Sequence, residues 1–398
     1  MRRMGAVMPV QEWPGWPVFD EETRAAVDRV LRSGRVNYWT GKECDAFENE
    51  FAAACGVQHA VSMANGTLAL ELALRALDIG PGDDVVVPAT SFVATASCVV
   101  QVGARPVFAD VDPHSGNITP ESAEAAVTDQ TKAIIAVHLA GWPCDMNGLR
   151  AYTDRKGIYL VEDCAQAHGA RIDGQHVGAF GDLSAYSFCQ DKIMSTGGEG
   201  GMVLTNDKEL WRKVWSMKDH GKNPEKTREM AVGSGFRYLH DTFGTNARMT
   251  EMQAAIGRVQ LRVLDAWVQK RRRHADEYRR RFAGSLALDL PAPGASTYHA
   301  YYKLHAIISP THLKPGWDRD RLREAIISRG VPCFSGACPE IYLERCFQNA
   351  GLSPKEPLPQ ARQRGERSLM FLVHPTLSDT DVAAMIDAVG MAVEEASA

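Results

Sequence analysis

The chain has 398 residues, 45% of them hydrophobic and 23% charged, with a formal net charge of −5. That length allows two domains or one large α/β domain with an appendage, and the composition is that of an ordinary globular protein. The acidic balance gives no electrostatic basis for a nucleic-acid or anionic-membrane partner, and no stretch approaches the roughly 18 uninterrupted apolar residues of a membrane span.

The nine cysteines include no CxxC pair, and their odd number favours a reducing compartment over a disulfide framework. Cys333 and Cys338 lack a matching His/Cys pair, so no metal is expected. Met1-Arg2-Arg3 is not followed by an apolar run, and the expected localisation is cytoplasmic.

Residues 1–20 form an extension whose Trp13-Pro14-Gly15-Trp16-Pro17 stretch excludes regular structure throughout. Helices are expected over 21–31, ending at Ser33-Gly34, and over 45–55, closed by Gly56. The pattern then alternates. A strand over 60–63 runs through Ala64-Asn65-Gly66 into a helix over 67–77. The turn Pro81-Gly82-Asp83 leads to a strand over 85–88, a helix over 92–102 and a strand over 106–109. Apolar runs at 134–137 and 159–161 suit a sheet covered on both faces, and strands over 184–188 and 201–205 complete the set. Strands separated by helices predict an α/β fold: a mostly parallel central sheet sandwiched by helices, with ligand chemistry at the strand C-terminal ends.

Beyond Asn246 the texture changes. A helix over about 250–282, with Ile256, Val259, Val263 and Trp267 at helical spacing, is a natural bridge to a smaller C-terminal α+β domain. That domain has a Pro-rich entry at 288–295, a strand over 302–308, a helix over 318–329 and a last helix over 380–395. The expected division is a large domain at 21–265 and a small one at 266–398. The basic run Lys270-Arg271-Arg272-Arg273 has Asp276 and Glu277 close behind and no interleaved aromatics, so it reads as the solvated face of the bridging helix.

Two strand ends carry chemistry. The run Ile158-Tyr159-Leu160-Val161 ends in Glu162-Asp163-Cys164-Ala165-Gln166-Ala167-His168, and Tyr186-Ser187-Phe188 leads through Lys192 into Gly197-Gly198-Glu199-Gly200-Gly201. Pyridoxal 5′-phosphate (PLP) needs an amine for a Schiff base, an anion for its pyridinium nitrogen and donors for its phosphate. Lys192 suits the first need, and the glycine-rich turn argues against a surface lysine. Asp163 suits the second, although a strand-end aspartate capping the next helix fits the spacing equally well. Asn65-Gly66-Thr67 opens a helix, where free N–H groups and the dipole favour an anion; by itself this is also a plain cap, and Ser187 is a possible second donor. Gln166 lies one turn beyond Asp163, His168 reads as structural, and Phe92 suits either the core or a stack on a flat ring. The Gly197–Gly201 run matches neither a P-loop nor a dinucleotide fingerprint, and no Gly-x-Ser-x-Gly elbow is present.

The set Ala64-Asn65-Gly66-Thr67, Glu162–Gly169, Tyr186-Ser187-Phe188 with Lys192 and Gly198–Gly201, and Gly244-Thr245-Asn246-Ala247-Arg248-Met249-Thr250 resembles the DegT/StrS-type sugar aminotransferases, from about Phe19 to His374. The resemblance implies fold type I, the aspartate aminotransferase architecture. It makes Lys192 the Schiff-base lysine and Asp163 the partner of the pyridine nitrogen. Gln166 falls near the phenolic oxygen, Gly66, Thr67 and Ser187 at the phosphate, and Phe92 over the ring. Asn246 matches an asparagine that reaches the phosphate of the neighbouring subunit, which implies a homodimer with shared active sites.

The implied reaction moves an amino group from L-glutamate or L-glutamine to a small-molecule keto-sugar, with pyridoxamine 5′-phosphate as the intermediate form. A nucleotide-linked 4-keto-6-deoxyhexose is the expected substrate, with a 3-keto sugar or a keto-cyclitol as alternatives and PLP-dependent sugar dehydration as the alternative reaction. A branch of the family with histidine at the lysine position dehydrates sugar nucleotides, and Lys192 favours amine transfer over that reaction. A ligand-responsive regulator is disfavoured by the intact constellation and the missing basic patch. His374-Pro375 follows a family pattern of unassigned role. The chain departs from the common wording at Val137–Pro143, where Ala140 and Trp142 stand, and at Trp13–Pro17; both segments are expected near the sugar. Arg35, Tyr38, Trp39, Lys218, Arg237, His299 and Tyr301 are candidates for nucleotide contact.

Overall fold

A computed structural model describes residues 12–228 and 238–398. The alternating half folds as five strands, β1 (His59–Met63), β2 (Asp84–Pro88), β3 (Arg105–Ala109), β4 (Thr131–Val137) and β5 (Tyr159–Asp163). A short hairpin follows, β6 (Arg171–Ile172) with β7 (Gln175–His176), and then β8 (Leu183–Ser187) and β9 (Gly201–Thr205). Seven of these form one sheet in the order β1-β9-β8-β5-β4-β2-β3, with the pairs from β3 across to β8 all parallel. β9 runs against both of its neighbours. β2, β8 and β9 are buried along their whole length, as expected of strands covered by helices on both faces. This is the mostly parallel α/β sandwich that the sequence predicts.

Three helices between strands, Pro120–Ala126, Met146–Lys156 and Lys208–Lys218, are absent from the expected set. Each is short, and its start is set by a side-chain cap from Thr119, Asp145 or Asp207.

The bridging helix spans Glu251–Arg281, opened by a reciprocal capping box between Thr250 and Gln253. Its buried stripe differs from the expected one. Val263 is exposed, whereas Leu264, Val268, Ala275 and Tyr278 are buried. Arg271 is also buried, so the basic run is not uniformly solvated: helical period turns one of its four cations inward.

Leu264 and Val268 join the core of the large sheet, and Ala275 and Tyr278 join a second core. That second core covers an antiparallel sheet in the order β10-β12-β14-β13, made of β10 (Leu288–Asp289), β12 (Leu304–Ile308), β13 (Cys333–Phe334) and β14 (Ser368–Phe371). β11 (Thr297–Tyr298) instead pairs with the β6–β7 hairpin and ties the two regions together.

Candidate active site

Asp163 is the last residue of β5, where the parallel strands end and side chains turn toward a cavity of about 950 Å³. It is only 6% exposed. One carboxylate oxygen accepts from the Thr95 hydroxyl at 2.9 Å and the other from the Ala165 N–H at 3.1 Å. Burial raises its pKa above the ordinary 3.8, against the opposing pull of these donors and of the Lys192 and His138 side chains. The neighbouring Glu162 is engaged otherwise: it accepts from the Gly178, Phe180 and Gly181 N–H groups and contacts His138 Nε2 at 3.0 Å. With His138 and Cys164, that carboxylate organises buried chain rather than lining the cavity.

Lys192 lies in the loop between β8 and β9, half-buried, and lines the same cavity. The loop is tightly tied. The Lys192 N–H donates to the Cys189 carbonyl, the Thr196 hydroxyl to the Glu199 carbonyl, and the Ser195 N–H to Gln260 on the bridging helix. Gly198, at φ +118°, makes the turn that brings the chain back into β9. The Lys192 ammonium sits 5.1 Å from the centre of the Tyr302 ring.

The helix Gly66–Ala76 starts at the cavity wall. Asn65 caps it by accepting from the Leu68 N–H at 2.9 Å, while the N–H groups of Gly66 and Thr67 have no acceptor within the helix. Ser187, at the end of β8, faces this helix start so closely that a Cβ on Gly66 would lie 2.6 Å from the Ser187 Cβ. Only glycine permits that approach, and it sets two backbone donors beside a hydroxyl.

Gln166 and Phe92 complete the wall. The Gln166 amide oxygen accepts from the Ala140 N–H at 2.7 Å, which leaves its NH₂ free to donate. The departure at Ala140 thus acts on Gln166 through backbone, and Trp142 lies outside the large cavity against His299. Phe92 does not open a helix: the helix begins at Ala94, and Phe92 projects into the cavity 63% exposed. His168 is buried against the Tyr186 and Phe188 rings, with burial pushing its pKa down to about 3.

Asn246 is not brought to this cavity; it is exposed and pairs with Asp219 through backbone. Arg35, Tyr38, Trp39, Lys218, His299 and Tyr301 do not line the cavity either, and Arg237 lies outside the described residues. Tyr38 and Trp39 instead border a separate pocket, with the Lys218 ammonium 3.6 Å from the Tyr38 ring centre. The far wall comes from residues not assigned to this site from the sequence: Tyr302, Lys303, His305, Phe334 and Cys338. The Cys338 loop is docked there by the Ser91 N–H, which donates to the Cys338 carbonyl, and by the Thr90 hydroxyl, which donates to the Pro339 carbonyl, while the Tyr302 carbonyl accepts from Arg271.

The Trp13–Pro17 segment packs behind Lys192. The Trp16 indole donates to the Lys192 carbonyl at 2.7 Å and stands edge-on to Trp267, with the Arg271 guanidinium 4.9 Å from its ring centre. Thr376, hydrogen-bonded to His374, donates to the Gly15 carbonyl and anchors the same segment.

These residues fit PLP. A buried carboxylate with no cation in salt-bridge contact among the described residues faces the cavity at one end. A helix start cleared by a glycine lies beside a serine hydroxyl, and a primary amine stands on a constrained loop. The chemistry of this donor set matches a pyridinium, a phosphate and an aldehyde.

The model of the DegT/DnrJ/EryC1/StrS aminotransferase family matches residues 17–390. The chain is 38% identical over 371 residues to the dTDP-3-amino-3,4,6-trideoxy-alpha-D-glucose transaminase of Streptomyces venezuelae, covering 92% of this chain and 91% of that protein. It is 38% identical over 342 residues to the L-glutamine:2-deoxy-scyllo-inosose aminotransferase of Streptomyces kanamyceticus, covering 82% and 78%. Among solved structures, the aminotransferase from Psychrobacter cryohalolentis superposes with a TM-score of 0.94 at 50% identity, covering 97% of this chain and all of that one.

Proposed function

The chain belongs to the DegT/DnrJ/EryC1/StrS aminotransferase family and is a PLP-dependent sugar aminotransferase of fold type I, and from that premise we propose that it aminates a nucleotide-linked keto-sugar, a 4-keto-6-deoxyhexose, with L-glutamate or L-glutamine as donor. The observation that carries this reading is the convergence of Asp163, Lys192, Ser187 and the helix start at Gly66-Thr67 on one cavity of about 950 Å³. A cavity of that size has room for more than a cofactor and an amino acid. The S. kanamyceticus relative, named for a cyclitol, favours a keto-cyclitol as the second reading.

Bound here, PLP supplies an electron sink for the charge left when the donor's α-proton is removed. The protein's part falls to named residues. Asp163 holds a cation at the ring nitrogen, and Gln166 donates to the ring's phenolic oxygen. Gly66, Thr67 and Ser187 bind phosphate, and Phe92 covers the ring. Lys192 Nζ would hold the cofactor's aldehyde, and with its amine free it would serve as the base toward the donor's α-proton.

Three further readings belong to this proposal. Residues 21–265 form the cofactor domain and 266–398 the small domain, supported by the separate sheet and core beyond Ala275. Asn246, exposed and away from its own cavity, serves a second subunit in a homodimer with shared sites. No helix among the described residues is long and apolar enough to cross a membrane, and the proposed setting is cytoplasmic.

The test is purified protein supplied with PLP, either L-glutamate or L-glutamine, and a panel of nucleotide-linked keto-sugars and scyllo-inosose. The expected outcome is release of the donor's 2-oxo acid matched by amination of one nucleotide sugar, abolished in Lys192→Ala. Amination of scyllo-inosose alone selects the cyclitol reading, and no release from any donor refutes transamination.

A further inference from the structure

An aminotransferase of this kind meets two chemically unlike substrates at one cavity. An α-amino acid always carries a carboxylate on the reacting carbon; a neutral keto-sugar has no anion there, and in a nucleotide sugar the diphosphate lies several bonds further out. Discrimination therefore calls for a cation close to the reacting amine.

Among the described residues lining the cavity, the cationic candidates besides Lys192 are Lys303 and His305. His305 is excluded by burial beside Arg364, which pushes its pKa down to about 3 and keeps it neutral. Arg364 itself is engaged by the Pro113 and His114 carbonyls and by His305. Arg271 lies behind the wall, donating to the Tyr302 carbonyl with its guanidinium over Trp16.

Lys303 remains. It immediately precedes β12, whose alternating burial turns Leu304, Ala306 and Ile308 into the core and leaves Lys303 and His305 to the cavity. Its ammonium is 4.9 Å from the centre of the Tyr302 ring, the same ring that the Lys192 ammonium approaches to 5.1 Å. The nearest acid acting on it, Asp191, takes the Tyr302 hydroxyl and makes no salt bridge to it. Burial, with Arg271 and Lys192 nearby, holds Lys303 down to about 8. An arriving anion favours the charged form that burial disfavours.

We propose that Lys303 is the receptor for the α-carboxylate of the amino donor. The proposal rests on the transamination reading. It follows from the position of Lys303 beside the same ring that the reacting amine approaches, and from its being the cation left to this cavity wall once His305, Arg364 and Arg271 are engaged or neutral.

The test separates the two half-reactions in wild type, Lys303→Met and Lys303→Arg. L-Glutamate is mixed with PLP-loaded protein in single turnover and 2-oxoglutarate release is followed. Protein loaded with pyridoxamine 5′-phosphate is mixed with the accepted keto-sugar. Glutarate, which cannot react, is titrated calorimetrically into the PLP-loaded proteins. In Lys303→Met, half-saturation by L-glutamate and glutarate binding should weaken roughly 10- to 100-fold, the loss of one charge-assisted hydrogen bond. The limiting rate of the keto-sugar half-reaction and its half-saturation should change less than about twofold, and Lys303→Arg should recover most of the donor affinity.

Loss confined to the keto-sugar half-reaction would assign the lysine to the diphosphate and overturn the proposal. Equal loss in both, or unaltered donor and glutarate binding, would overturn it too. If wild type releases no oxo acid from any amino acid, the transamination reading falls, while the glutarate titration still decides the role of Lys303. A Lys303→Met protein that does not fold leaves Lys303→Arg and Lys303→Gln for the same titration, where loss in Gln and retention in Arg support the proposal and equal binding in both sinks it.

Discussion

The indole N–H of Trp16 donates to the backbone carbonyl of Lys192 at 2.7 Å, across 176 residues of sequence. The amine of the site is thus held from behind by the N-terminal segment, whose other end is fixed by the Trp13 indole on the Gly330 carbonyl at 2.6 Å. Trp16→Phe keeps an aromatic surface for Trp267 and Arg271 but removes the hydrogen bond. The expected cost is about 1 kcal/mol of stability. The rate of 2-oxoglutarate release should fall several-fold, because the Lys192 loop loses a constraint, while PLP still binds. Thermal unfolding and single-turnover kinetics on the PLP-loaded variant check this.

Asp163→Asn separates the two consequences of burying a carboxylate. Burial raises the folded-state pKa of Asp163 above its ordinary value. Its contribution to stability is therefore complete below the unfolded pKa and is lost as pH rises through the folded one. Without cofactor at neutral pH, the variant should melt at or above the wild-type temperature, with the gap closing toward acid pH. PLP should raise the melting temperature of wild type more than that of the variant, since only the carboxylate gains a counter-charge. Equal PLP-induced shifts in both proteins would count against a pyridinium partner for Asp163.

Phe92 is 63% exposed, so Phe92→Ala should leave stability within about 0.5 kcal/mol. A stacking role predicts weaker PLP binding by about 0.5–1.5 kcal/mol, or roughly 2- to 12-fold. Equilibrium titration of the cofactor measures this, and unchanged affinity would remove Phe92 from the proposed binding set.

Subunit mixing tests the placement of Asn246. Lys192→Ala and Asn246→Ala proteins, each poorly active alone, are unfolded together and refolded. If Asn246 serves the neighbouring cavity, random pairing should restore about a quarter of the wild-type sites, because each mixed dimer keeps one intact composite site. No recovery above the separate proteins would place Asn246 in the site of its own chain or in none.

Much of this molecule is legible without coordinates. The alternation of buried strands and helices gives the parallel sheet because such strands must be apolar along their length, and β4 and β5 read that way directly. Asp163 and Lys192 stand out because one ends a strand and the other lies just beyond one, and the C-terminal ends of parallel strands converge on one edge. Short polar helices such as Met146–Lys156 leave a weaker trace, since a single cap and packing against the sheet stabilise them more than their own pattern does. The Lys270–Arg273 run misleads for a related reason: composition reports four cations, but only helix phase against the core decides that Arg271 is buried.

By itself, then, the sequence determined the fold class and the cofactor and singled out Lys192 as the lysine proposed to react, because these depend on strand patterning and on motifs whose residues are close along the chain. Tertiary structure alone decided what faces Lys192 across the cavity. Tyr302 and Lys303 arrive from the segment that leads into β12, Cys338 from a loop docked on Ser91 and Thr90, and Trp16 from the N-terminal segment. Contacts between segments hundreds of residues apart depend on how two separately packed cores meet. No local pattern of residues encodes that geometry.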